Sequence, residues 1–128
     1  MKRILTLTAL LVLIIAKPVK ADAKVEIVKA IATAYNIKGE TATGTQTVEG
    51  RTIAGKRDWF GKVLVVWEDP DRSGRIKAEN YIGTFICEDT GGETVSGGQV
   101  VDVFMEDYDD CMNFGSKKVI IQIISCDG

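Results

Sequence analysis

The sequence contains no histidine. That absence removes Ser-His-Asp and Cys-His catalysis in their ordinary forms, because both need an imidazole to carry a proton near neutral pH. It also removes the usual zinc ligand sets, since the three cysteines, Cys87, Cys111 and Cys126, form no CxxC pair. Acid–base chemistry is left to Asp, Glu, Lys, Tyr or Cys. No apolar run reaches the roughly 20 residues that a membrane-spanning helix needs. There is no internal repeat and no low-complexity linker.

The longest apolar stretch, Ile4 to Ala16, follows Lys2 and Arg3 and leads into Lys17-Pro18-Val19-Lys20-Ala21-Asp22-Ala23. This order of charge, apolar segment and small residues is that of a secretory signal peptide, expected over residues 1–21, with cleavage after Ala21 or Ala23. No cysteine stands near either site to take a lipid, so the expected product is secreted, extracellular or in the cell wall, without a membrane anchor. Removal of residues 1–21 takes away four basic residues and no acid, leaving 12 of the 16 Lys and Arg against 18 Asp and Glu. So acidic a chain lacks the basic footprint of a nucleic-acid binder. Residues 22–128 are enough for one hydrophobic core and are expected to form a single domain. In an oxidising compartment one pair among Cys87, Cys111 and Cys126 is expected to close, and sequence does not choose which.

Val25 to Tyr35 alternates apolar and polar residues with the period of a half-buried strand. Gly39, Gly44 and Gly50 punctuate a Thr-rich segment of loops or short strands. Lys62 to Trp67 is a β-branched run that suits a strand buried on both faces, stopped by the turn composition of Glu68 to Gly74. Tyr81 to Cys87, Val100 to Met105 and Lys118 to Ile124 read as further strands. Glu106 to Phe114 reads as one short helix, with acids in its first turn and Gly115 as its stop. Six or so short strands and one helix predict an all-β barrel or sandwich, and closure protects the edges of so small a sheet.

Asp102 is the most informative residue. It lies between Val100-Val101 and Val103-Phe104, in an apolar strand where desolvation raises a carboxyl's pKa and suits it to act as a general acid. Asp89 closes another apolar strand just before Gly91-Gly92, whose backbone amides can meet a sugar hydroxyl. Asp58 is a third candidate, beside Trp59 and Phe60, and Trp59 is a candidate stacking platform for a sugar ring. The acids Glu68, Asp69 and Asp71 lack the spacing of a calcium loop and read as a solvated turn.

Thr33-Ala34-Tyr35, Thr41-Ala42-Thr43-Gly44, Gly50-Arg51-Thr52-Ile53-Ala54, Glu88-Asp89-Thr90-Gly91-Gly92, Val101-Asp102-Val103-Phe104 and Asn113-Phe114-Gly115 occur in an order that resembles the bacterial three-aspartate (3D) domain. That family is related to the catalytic domain of membrane-bound lytic transglycosylase A. The resemblance runs from about Lys29 to Ile124 and implies a six-stranded double-psi β-barrel. It also implies cleavage of peptidoglycan glycan strands between N-acetylmuramic acid and N-acetylglucosamine, without water, to give 1,6-anhydromuramic products. Carried over by motif, Asp102 is the acid/base residue and Asp89 the second aspartate, and Asp58 is the nearest counterpart of the first. Here Ala54 is followed by Gly55 to Gly61, where the family has an Asp-Pro segment. Thr43, Gly44, Thr90, Gly91 and Gly92, with Trp59, are the implied substrate contacts. No metal or other cofactor is implied, and a monomer is favoured. The alternative reading is a non-catalytic cell-wall glycan-binding module of the same fold.

Overall fold

A computed structural model of the chain describes residues 23–126, so the expected signal peptide lies outside the described residues. The strands are β1 (Ala23–Tyr35), β2 (Thr52–Ala54), β3 (Val63–Glu68), β4 (Tyr81–Asp89), β5 (Val100–Phe104) and β6 (Lys117–Cys126). Two helices, α1 (Glu93–Ser96) and α2 (Tyr108–Phe114), and single 3-10 turns at Arg57–Trp59 and Ala78–Asn80 complete the order. The sheet closes into a barrel in the order β1-β5-β2-β4-β3-β6. The β1–β5 and β2–β4 pairs are parallel and the others antiparallel, the arrangement of a double-psi β-barrel.

Alternation along each strand decides what fills the barrel. Ala32, Ile53, Leu64, Val66, Phe85, Val101, Val103, Ile121 and Ile123 point inward and form one buried cluster. Burying each large aliphatic side chain contributes about 1.5–3 kcal/mol relative to leaving it in water. Trp59 joins them from its 3-10 turn, only 5% exposed. Its ring fits because position 55 is glycine: a Cβ there would lie 3.1 Å from the indole and 3.2 Å from Cys87 Sγ. Trp59 is therefore a core anchor and not the expected stacking platform.

Four further expectations change. β3 is not buried on both faces: Leu64 and Val66 are buried while Val63, Val65 and Trp67 are partly covered on the outside. α1 was not expected, since four residues flanked by glycines carry no periodic signal. α2 starts at Tyr108 because Asp107 is its N-cap, accepting from Asp110 N at 3.1 Å, and Gly115 ends it at φ 65°. The expected disulfide is absent among the described residues. Cys87 faces the core, Cys111 sits on α2 with its thiol on Met105 O, and Cys126 ends β6 in solvent.

Gly83 tests the packing. A Cβ at this position would lie 2.6 Å from Phe85 Cζ, and Phe85 is a buried member of the core. Gly83→Ala is expected to destabilise by about 1–3 kcal/mol in denaturant unfolding. Gly92→Ala, which meets nothing within 4 Å, should stay within about 0.5 kcal/mol of the parent. Equal stability of both variants would contradict this packing.

Candidate active site

The site is built by a bulge. Ile53 pairs with Cys87, but the next residue, Ala54, pairs with Asp89, so Glu88 has no partner on β2. Without that extra residue Asp89 would share the face of Cys87 and point into the core, because side chains alternate with period two. Glu88 is instead held by Arg51 Nε at 2.9 Å and Thr52 Oγ1 at 3.2 Å. Burial works to raise its pKa, but hydrogen bonds from Thr45, Arg51 and Thr52 and the Arg51 charge outweigh it and leave it lowered.

Ala54 also pairs with Asp102 across β2–β5, and Asp102 pairs with Thr33 across β5–β1. Thr33, Asp102, Ala54 and Asp89 thus form one row across four strands, on the outer face of the barrel wall. Two strand spacings put the Cα atoms of Asp102 and Asp89 about 10 Å apart. The methyl group of Ala54 leaves the space between them open. They line a groove of about 290 Å³ together with Tyr35, Thr90, Gly91 and the Ile37 to Glu40 segment. That volume lies just below the usual range for ligand clefts, which begins at about 300 Å³.

The two carboxyls have different surroundings. Asp89 Oδ1 accepts from Ala42 N at 3.1 Å and Thr90 N at 3.0 Å, and its Oδ2 accepts from the Tyr35 hydroxyl at 3.1 Å. Burial first, and then the Asp89 charge, push the Tyr35 phenol above its ordinary pKa, so it remains a donor. Asp102 is half-buried, and its Oδ1 accepts a hydrogen bond from Thr33 Oγ1 at 3.0 Å. Burial raises its pKa above the ordinary carboxyl value; the Thr33 bond opposes this and the Asp89 charge adds to it. Such an arrangement offers one carboxyl able to give a proton and a second, fixed one able to face positive charge.

Of the residues expected from sequence, Asp89, Asp102, Thr90 and Gly91 come together in the groove. Gly92 serves instead as the N-cap of α1. Thr43 and Gly44 do not line the groove. They shape the loop that presents Ala42 N, with Thr43 N bonded to Glu88 O at 3.1 Å. Asp58 is not brought in: it sits on the 3-10 turn, 78% exposed, 3.7 Å from Lys56 Nζ. The Glu68–Asp71 turn is less solvated than expected, since Asp69 is buried and accepts from Gly74 N. Sequence reading missed Tyr35, Ile37, Lys38 and Glu40 as groove residues, and Thr33 as the hydrogen-bond donor to Asp102. The period-two pattern of β1 already placed Thr33 and Tyr35 on one face, whereas nothing local marked the loop residues.

This geometry defines a double-psi β-barrel with a carboxylate groove on its outer wall. No protein-family model and no curated protein matches the chain. Among solved structures it is similar to an alanine variant of the E. coli lytic transglycosylase MltA in its apo-2 form, at 13% identity and a TM-score of 0.51. That likeness covers 72% of this chain and 29% of that one. It is also similar to E. coli MltA with bound chitohexaose, at 14% identity and a TM-score of 0.50, again over 72% and 29% of the two chains. The likeness is one of fold, and this chain spans under a third of those structures.

The raised pKa of Asp102 has a stability consequence. The unfolded chain releases this proton near the ordinary Asp value, while the folded protein holds it to higher pH. Folded stability is therefore lost as pH rises through that window, because a half-buried charge must form. Asp102→Asn should raise the thermal midpoint relative to the parent at pH 7, and the gain should shrink toward zero at about pH 3. An offset of equal size at both pH values would contradict this reading.

Proposed function

We propose that the chain is an exported peptidoglycan lytic transglycosylase, cleaving between N-acetylmuramic acid and N-acetylglucosamine without water, with Asp102 as general acid and base. The observation that carries this reading is the row that sets a half-buried carboxyl and a clamped one on either side of Ala54 in one groove. A carboxyl whose pKa is raised by its surroundings, set in a cleft, is what proton-transfer chemistry requires. The fold adds support, since the similar solved structures are of a lytic transglycosylase, one of them holding chitohexaose.

In the proposed reaction the protonated Asp102 gives its proton to the glycosidic oxygen as the bond from that oxygen to the anomeric carbon breaks. The muramic acid 6-hydroxyl oxygen bonds to the anomeric carbon and passes its proton to the Asp102 carboxylate. No water is consumed, and Asp102 ends as it began. Asp89, held by Tyr35 and two backbone amides, faces the positive charge that builds on the sugar. One carboxyl changes roles here, unlike the two-carboxylate scheme of most glycosidases.

The second reading, a glycan-binding module without turnover, is favoured by one observation: Asp58, the nearest counterpart of the first aspartate of the 3D family, lies outside the groove. Incubation of residues 22–128 with purified sacculi separates the two. The enzyme reading expects soluble anhydromuropeptides by mass spectrometry, reduced about 10²–10⁴-fold in Asp102→Asn. Full activity in that variant overturns the role of Asp102, and sacculus binding without product supports the module.

The pH profile gives a further check. Because the acid must start protonated, turnover should fall as pH rises through the elevated pKa of Asp102. A rate that stays flat into alkaline conditions would exclude Asp102 as the proton donor.

A further inference from the structure

We infer that Ile37 and Lys38 form a subsite for the lactyl ether of muramic acid, read as a free carboxylate beside a methyl group. The inference rests on the glycan-cleaving reading and adds which residues of the groove select the muramic acid, and at which rim. Lys38 is the one cationic side chain lining the groove among the described residues, against the carboxylates Asp89, Asp102 and Glu40. An anionic ligand entering here is repelled everywhere except at Lys38. Arg51, the cation on the neighbouring loop, is committed to Glu88 Oε1 and Gln46 O.

The backbone at this rim is anchored on both sides and its side chains are exposed. On one side Tyr35 O accepts from Met105 N at 2.9 Å. On the other, Gly39 N donates to Thr47 Oγ1 at 3.1 Å and Thr47 N donates to Gly39 O at 2.9 Å. Between these anchors Lys38 Nζ pairs with Glu106 Oε1 at 3.8 Å, both side chains more than half exposed. A solvated pair at that distance contributes little and exchanges partners readily. Ile37 is 77% exposed, an aliphatic side chain left uncovered on the groove wall.

A lactyl ether carries a methyl and a carboxylate on the same carbon. Ile37 and Lys38 are the apolar and cationic neighbours that match them. N-acetylglucosamine has no such group, so this rim distinguishes the two alternating sugars of the strand. It thereby fixes which of the two glycosidic bonds reaches Asp102. The free acid form arises when an amide hydrolysis removes the stem peptide, so the preferred substrate is the product of that class of reaction.

The test uses residues 22–128 carrying Asp102→Asn, so that ligands are bound and not consumed, with folding checked by thermal melting. Calorimetry compares glycan strands stripped of stem peptides with neutral chitohexaose. The stripped strands are expected to bind at least about tenfold more tightly at low salt, the scale of one added charge interaction. Lys38→Gln should remove that preference and its salt dependence, and Ile37→Ser should reduce it, while chitohexaose affinity is unchanged and Lys38→Arg retains the preference. Equal weakening of both ligands by Lys38→Gln would make Lys38 merely structural, and no change in either would remove the subsite. Failure of the parent to bind either ligand would overturn the glycan reading itself.

Discussion

One unpaired residue in a parallel strand pair governs the chemistry of this surface. β4 carries Glu88 as an extra residue against β2, and the pleat after it is inverted. Asp89 thereby leaves the barrel interior and joins the outward row of Thr33, Asp102 and Ala54. The extra residue would be costly if its carboxylate were stranded, since a buried unpaired charge is strongly destabilising. Arg51 and Thr52 remove that cost, so an ion pair outside the groove is a condition for the groove. The same register leaves a methyl group between the two aspartates, and a larger residue at position 54 would close the space that the bulge opens.

The two carboxyls then diverge because their neighbours differ, although the same row holds both. Asp89 is reached by a hydroxyl and two backbone amides, fixed by the loop of Thr41 to Thr45 that folds over the end of β4. Asp102 sits in mid-strand between residues buried in the core, receives the Thr33 hydroxyl, and feels the Asp89 charge. Desolvation and like-charge repulsion act in the same direction on it. Tyr35 donates to Asp89 while its ring packs edge-on against Phe104 at 5.5 Å, which ties the clamp to the covered outer wall.

Much of this was legible because the barrel obeys period two. The alternation in β1 and the apolar flanks of Asp102 located strands and the half-buried carboxyl within a residue or two, and the ordered motifs named the barrel. What escaped has physical reasons. β2 has three residues, too few to show a period, and yet it aligns the whole row. A bulge depends on pairing between Ile53 and Cys87, distant in sequence, and nothing local announces it. Trp59 looked like a ligand platform beside Asp58, but only the tertiary fold reveals that Gly55 makes room for its ring in the core. Once Trp59 is anchored inward, Asp58 is left on the solvent side of a one-turn helix. The rim residues Ile37 and Lys38 occupy a loop whose position is set by Thr47 and Met105, again outside the reach of local patterning.

The central claim is that the fold raises the pKa of Asp102 beside a clamped Asp89. The most direct measurement is a carbon-13 NMR titration of the side-chain carboxyls, with Asp102 assigned by comparison with Asp102→Asn. The account predicts that Asp102 titrates above the ordinary Asp value of about 3.9 and moves down when Asp89 is replaced by Asn, as the neighbouring charge is lost. Titration of Asp102 at or below the ordinary value, unmoved by Asp89→Asn, would contradict it.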